Sequence, residues 1–299
     1  MALVKRTRVE ENLFGQLVIG PPSSGKTTYC GKLAKLYKEK LNRDVAVINL
    51  DPANENMCYI PKIDIRQLVS LENSMAQFNL GPNGSLMYCM EYLEENFDWL
   101  LNQLSSIKNC YLIFDMPGQV ELYTHHSSIK NVCEKLQNLN YNLCCVHMVD
   151  SHYCSDAPKF ISTLLLSLST MLHIGIPHVN VLSKADILKA NSTKLDFGID
   201  FYTDVLNLEY LLDVLDDGPL TKKFKKLNAA LVDLVQDYSL VSFILLNVFS
   251  EKSLMNLKSA IDKANGYIYG SGEERNIQSL LSCAIGARTA TERFDVDYM

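Results

Sequence analysis

The sequence predicts an α/β fold: a mostly parallel central sheet flanked by helices and carrying helical insertions. Three observations predict it. Six short apolar runs, at residues 14–20, 45–50, 110–115, 143–150, 178–183 and 242–249, read as buried strands. Helical patterns alternate with these runs, and that alternation calls for crossover connections and a parallel sheet. The first connection, residues 26–41, sets Leu33, Leu36, Tyr37 and Leu41 on one face and five lysines elsewhere, as an amphipathic crossover helix does.

The later elements follow from the same patterns. Leu86, Met90, Leu93, Phe97, Leu100 and Leu104 are spaced by four and three in turn, which predicts a helix packed on the sheet in preference to a dimer seam. Residues 161–176 form the longest apolar stretch, but serine, threonine and histidine interrupt it. It is too short to cross a bilayer, so a buried helix is expected. A helical insertion at about 187–241 separates the last two strands. Its acidic Asp213, Asp216 and Asp217 and basic Lys222, Lys223, Lys225 and Lys226 read as a solvated face. The expected organisation is an N-terminal extension over 1–13, one domain over 14–270 and a fraying tail over 271–299.

Composition narrows the function classes. The chain has 299 residues and is 47% hydrophobic, ample for a packed core. Its 28 basic and 34 acidic residues leave a net charge of -6, which argues against direct nucleic-acid or membrane partners and for proteins or a small ligand. Nine cysteines without a CxxC pair read as reduced, mostly buried thiols. The six histidines lie near several of them but lack metal-ligand spacing, so no zinc site is expected. Residues 1–12 are charged and have no apolar segment of the secretory kind.

Chemistry enters directly after the first strand. Gly20-Pro21-Pro22-Ser23-Ser24-Gly25-Lys26-Thr27 is a full GxxxxGK[ST] match in the strand-loop-helix setting of a phosphate-binding P-loop. Gly20 and Gly25 let the chain curl so that the amides of the loop, Ser23 and Ser24 included, point at phosphates. Lys26 is placed for the β- and γ-phosphates, the Thr27 hydroxyl for magnesium, and Thr28 for the α-phosphate. The fold is therefore expected to be that of a P-loop NTPase.

Two further segments discriminate among such enzymes. The third strand ends in Asp115-Met116-Pro117-Gly118-Gln119. Asp115 is expected to hold magnesium through water, the Gly118 amide to sense the γ-phosphate, and Gln119 and Glu121 to orient the attacking water. For Glu121 a plain surface carboxylate at a helix start is an equal alternative. Ser183-Lys184-Ala185-Asp186 matches the NKxD element of GTPases, with Ser183 in place of Asn. There Lys184 can lie along the base, and Asp186 can accept two hydrogen bonds that guanine supplies and adenine does not. The loop at 247–253, where a fifth base contact belongs, names no residue. A P-loop kinase would call for an arginine-rich lid, and residues 187–241 contain no arginine.

Leu50-Asp51-Pro52-Ala53-Asn54 and Gly81-Pro82-Asn83, taken with the P-loop, make the chain resemble the GPN-loop GTPases. The resemblance runs through GPNGSLMYCMEYLEENFDWL, DMPGQVELYTHH, VHMVDSHYCSD, SLVSFILLN and DKANGY, covers about 14–269, and is closest to the second eukaryotic branch. It implies GTP/GDP and Mg2+ as ligands, and a homo- or heterodimer with related GPN-loop GTPases in which Asn83 reaches the partner's site. It also implies that Asp51 contacts the magnesium shell or the lytic water. The implied role is assembly and nuclear import of RNA polymerase II, and of polymerase III, by a cytoplasmic protein that shuttles to the nucleus. The rival reading is an assembly scaffold whose hydrolysis is incidental.

Overall fold

A computed structural model describes residues 13–190, 197–205, 208–215 and 224–267. The rest of the expected N-terminal extension, the tail over 271–299, Cys283, Asp216, Asp217, Lys222 and Lys223 lie outside these residues. Seven strands form one parallel sheet: β1 (Leu13–Ile19), β2 (Val45–Asn49), β3 (Ile63–Asp64), β4 (Tyr111–Asp115), β5 (Tyr141–Asp150), β6 (His178–Ser183) and β7 (Phe243–Leu245). Their order across the sheet is β3-β2-β4-β1-β5-β6-β7. The sequence pattern misses β3, whose two residues are too few to show a period, and overextends β7.

The helices among the described residues are α1 (Lys26–Lys40), α2 (Leu71–Phe78), α3 (Pro82–Glu95), α4 (Phe97–Ser105), α5 (Glu121–Thr124) and α6 (Ser127–Gln137). They continue with α7 (Ala157–Ile174), α8 (Ala185–Ala190), α9 (Ile199–Asp204), α10 (Glu209–Leu215), α11 (Lys225–Tyr238) and α12 (Glu251–Asn265). The last strand pair encloses α8 to α11, as the expected insertion does.

Strand alternation sorts the core into layers. Leu17, Ile19, Leu112 and Phe114 pack with Met90, Leu93, Phe97, Leu100 and Leu104 of α3 and α4 on one face. Val18, Tyr111 and Ile113 pack on the other face with Leu33, Leu36 and Tyr37 of α1 and Leu257 and Ile261 of α12. From Met90 to Leu104 the apolar row thus covers the sheet, as expected, but Leu86 is outside that core and the row is divided. Asn96 ends α3 by turning its side-chain amide back to the Tyr92 carbonyl at 2.8 Å, a local bond that competes with helix continuation.

The apolar run expected at 161–176 needs a correction. Its helix begins four residues earlier and stops at Ile174, where Gly175 takes φ 70°. At 18 residues and mean hydropathy 1.2, α7 is long and apolar enough to cross a membrane. Packing assigns it elsewhere, since Phe160, Leu164 and Leu168 are buried with Tyr202, Val232, Val235 and Phe243 of the insertion and β7. Eight cysteines among the described residues are unpaired, and six of them are buried.

An ion pair fastens α12, the last helix among the described residues, to the sheet. Arg43, just before β2, donates to both carboxylate oxygens of Asp262 in α12 at 3.2 and 3.0 Å. The two side chains are 2% and 6% exposed. The guanidinium also lies 4.5, 5.2 and 3.9 Å from the ring centres of Tyr37, Tyr111 and Tyr267. Removing one member of a buried pair strands the other charge. R43M should therefore destabilise the fold by about 3 kcal/mol in urea unfolding. A loss below about 1 kcal/mol would show that Lys258, 3.1 Å from Asp262, is sufficient compensation.

Candidate functional site

The chains leaving β1 and β4 run to opposite sides of the sheet, and both loops emerge at the carboxyl ends of adjacent strands. Ligands of open α/β sheets bind at such a crevice. Residues 20–25 curl tightly, with φ of 142° at Gly20, 61° at Ser23 and 93° at Gly25. Position 20 admits no side chain, because a Cβ would stand 2.1 Å from the Met148 carbonyl oxygen. Gly25 occupies the cap position of α1, so the helix's first amides open toward the crevice.

Lys26 is buried and donates to the Gly20 and Pro21 carbonyls at 3.0 and 3.1 Å. Burial lowers its pKa, while Asp115 and Asp51 act in the opposite direction. The switch after β4 closes onto this lysine, for a Cβ on Gly118 would be 3.1 Å from Lys26 Nζ and 3.2 Å from Pro22 Cα. Only glycine allows that approach without displacement.

A cavity of about 650 Å³ is lined by Ser23, Gly25, Lys26, Thr27, Thr28, Asp51, Asn83, Gly118, Gln119 and Glu121. Ten of the residues expected to bind or react thus meet around one space. Pro22, Ala53, Leu86 and Val120 complete its wall. Gln119 is buried, and its Oε1 has no hydrogen-bond partner among the described residues. Glu121 starts α5 and is exposed. Asn83 stands exposed in the first turn of α3, on the wall of its own chain's cavity. Gly81 caps that helix at φ -72°, a conformation open to any residue, so no positive φ requires glycine there.

Asp115 is fully buried at the end of β4. Its Oδ2 accepts from Tyr59 Oη at 2.7 Å and from Asn54 Nδ2 at 3.2 Å. Its Oδ1 is buried with no hydrogen-bond partner among the described residues. Burial raises this carboxyl's pKa, and the Tyr59 and Thr27 hydroxyls pull it back down. An orphaned carboxylate oxygen in a cluster with the Thr27 hydroxyl suits a hard divalent cation, which takes oxygen ligands directly or through water. Magnesium therefore fits the residues present, with Thr27 and Asp115 as its holders.

Asp51 opens a turn that the sequence specifies locally. Pro52 follows at the second position, and Asn54 N donates to the Asp51 carbonyl at 3.2 Å. The Asp51 carboxylate accepts from Ala53 N at 2.9 Å, yet burial pushes its pKa up to about 6. Asn49, at the end of β2, anchors the turn by donating to the Asp51 carbonyl and to Asp64 Oδ1 at 3.1 and 3.0 Å.

The expected base contacts stand apart from the cavity wall. Lys184 has φ 57°, and its Nζ donates to Asp150 Oδ2 at 2.6 Å. Asp186 is exposed in the first turn of α8. Ser183 is buried and donates to the Val149 carbonyl at 3.0 Å, which ties β6 to β5 at the position where Asn is usual. The Ala185 amide donates to the Leu246 carbonyl at 3.1 Å, bringing the 247–253 loop alongside.

Sequence reasoning passed over Asn49, Asn54, Tyr59 and Asp150. Asn54 sits within the Asp51 motif, and Asp150 ends a strand as Asp115 does, so both carried a usable signal. Tyr59 carried none.

Residues 18–267 match the family described as a conserved hypothetical ATP binding protein. GPN-loop GTPase 2 of Danio rerio is 54% identical over 274 residues, spanning 92% of this chain and 88% of that protein. The GPN-loop GTPase 2 homolog of Dictyostelium discoideum is 50% identical, spanning 86% and 81%. GPN-loop GTPase 2 of Saccharomyces cerevisiae is 43% identical, spanning 87% and 76%. A solved GTPase from Pyrococcus abyssi in its apo form is similar with a TM-score of 0.67 and 21% identity. It covers 85% of this chain and 98% of its own, and that likeness bears on the fold alone. Its P-loop, its Asp51 turn, its Gly81-Pro82-Asn83 helix start and its relatives together make this chain a member of the GPN-loop GTPase family.

Proposed function

We propose that this GTPase is a nucleotide-switched dimer that serves the assembly and nuclear import of RNA polymerase II, with polymerase III as a further client. The observation that carries the chemical part is the single cavity uniting the phosphate cradle with Asp51, Gln119, Glu121 and Asn83. The cradle binds the triphosphate of GTP through inward amides. Lys26, already at its mouth, exchanges loop carbonyls for phosphate oxygens. Gln119, Glu121 and Asp51 surround the space where water attacks the γ-phosphate, and Asn83 offers a neutral donor to the charge that develops. Magnesium, when bound, neutralises phosphate charge.

Guanine is preferred because the Asp186 carboxylate can pair with two donors that adenine lacks. The description of the matching family as ATP-binding names the other base, so base choice is the point to test. Dimerisation is supported by exposed apolar side chains beside the site. Phe78 and Leu80, 43% and 36% exposed, directly precede Gly81, and Ile60 on the Asp51 segment is 94% exposed. A partner seated there would exchange Asn83 between sites. Client, partner GPN-loop GTPase and a cytoplasmic location with nuclear passage rest on the family resemblance.

The deciding experiment is identification of the nucleotide that co-purifies with the chain, followed by mass measurement with GTP and with GDP. Guanine nucleotide supports the reading and bound ATP overturns it, while a GTP-dependent doubling of mass supports a homodimer and an unchanging monomer overturns the homodimer in favour of pairing with a related GPN-loop GTPase. D186A should weaken GDP binding roughly five- to hundredfold in calorimetry and leave ADP binding unchanged. Equal losses for both would remove Asp186 from base recognition.

The Asp51 carboxyl gives a pH signature. Its pKa is higher in the fold than the ordinary 3.8, so the folded state holds the proton more tightly and stability falls as pH rises from about 4 to about 6. D51N keeps an acceptor for Ala53 N and cannot ionise. In chemical unfolding without nucleotide, its stability advantage should grow from near zero at about pH 4 to ~2 kcal/mol at about pH 7. A pH-independent difference would mean that Asp51 is not desolvated.

A further inference from the structure

The segment from Asp51 to Ile60 does more than carry Asp51. Asn54 Nδ2 donates to Thr27 Oγ1 at 3.1 Å and to Asp115 Oδ2 at 3.2 Å. These are the oxygens of the two residues placed to hold the cation. An amide N–H and a metal ion compete for lone pairs, so Asn54 in this position opposes a cation at Thr27 Oγ1, while its contact with Asp115 is to Oδ2 and leaves Oδ1 open. Asn54 Nδ2 also donates to Asn49 Oδ1 at 3.5 Å. The side chain therefore presents its donor end to three oxygens.

Tyr59 acts on the same carboxylate in another way. Its hydroxyl donates to Asp115 Oδ2 at 2.7 Å and makes no demand on Oδ1, which is buried with no hydrogen-bond partner among the described residues. A carboxylate held by one oxygen keeps the other aimed. The segment lies directly on α1: Cys58 Sγ donates to the Thr27 carbonyl at 3.2 Å, and a Cβ on Gly31 would be 2.5 Å from that sulfur. The hold on Thr27 and Asp115 is thus a packed arrangement, made from three side chains of one segment.

We infer that Asn54 is a latch on the metal site, occupying with its amide the Thr27 hydroxyl oxygen that a divalent cation takes and tying it to Asp115 Oδ2, while Tyr59 is a positioning residue that keeps Asp115 Oδ1 oriented for that cation. This rests on the reading that Thr27 and Asp115 hold magnesium. The two residues then have opposite effects. Losing the latch removes a competitor, and losing the tyrosine hydroxyl removes a support.

The test uses Mn2+ as a spectroscopic probe, titrated by electron paramagnetic resonance into the full chain loaded with GDP. N54A should bind Mn2+ roughly tenfold more tightly than wild type, because the hydrogen bond to Thr27 Oγ1 no longer opposes it. Y59F should bind it about tenfold more weakly. Alkylation of Cys58, followed by peptide mass, provides a second readout. Mn2+ with GDP should change its rate in wild type, and N54A should reach the altered rate without metal. Unchanged or weaker Mn2+ binding in N54A overturns the latch, and unchanged binding in Y59F overturns the positioning role. T27A separates the underlying reading: if wild type binds no Mn2+, or T27A binds it equally well, the magnesium site itself is misplaced. Should N54A fail to fold, N54S, too short to bridge both oxygens, is expected to give the same tightening.

Discussion

Asp115 carries a carboxylate at a point with no access to solvent, and much of the site is arranged around that fact. A buried charge must be compensated by hydrogen bonds or by opposite charge. Tyr59 and Asn54 satisfy one oxygen, and Lys26 contributes a favourable field from the P-loop. The second oxygen has no hydrogen-bond partner among the described residues, a deficit of about 1 to 3 kcal/mol for an ordinary buried group. A fold that retains such a group at the meeting point of its phosphate loop and its switch is built to be completed by a ligand.

The same economy of space couples the P-loop to the switch. Gly118 approaches Lys26 and Pro22 so closely that a side chain there would displace one of them. Gly20 abuts the Met148 carbonyl of β5 in the same manner. Packed contacts of this kind change between discrete arrangements more readily than they deform. Asn49 extends the coupling to β2 by tying the Asp51 turn to Asp64, which Arg66 neutralises at 2.6 Å.

Legibility in the sequence followed the range of the interactions involved. The P-loop, the Asp51-Pro52 turn and the Asp115 to Gln119 switch are contiguous segments whose conformations are set by glycine, proline and short-range hydrogen bonds, so they could be read directly. The strand that contributes only Ile63 and Asp64 could not, because it exists by pairing with Ile48 and Asn49 across the sheet. The break at Asn96 lay hidden inside an unbroken apolar row, since the core tolerates a bend that keeps Leu93 and Phe97 on one face.

What the sequence by itself determined is the inventory of groups of the types expected to cradle phosphate, hold a cation, orient water and contact the base. These depend on residue type and on spacing within a few positions, where chain geometry leaves few alternatives. Tertiary structure decided which of those groups meet. It placed Asn83 at the mouth of its own chain's cavity, turned Lys184 toward Asp150, and set Asn54 and Tyr59 upon Asp115 from 61 and 56 residues away. Contacts at such separations arise when strand order brings distant loops to one end of the sheet, and no local pattern records that order.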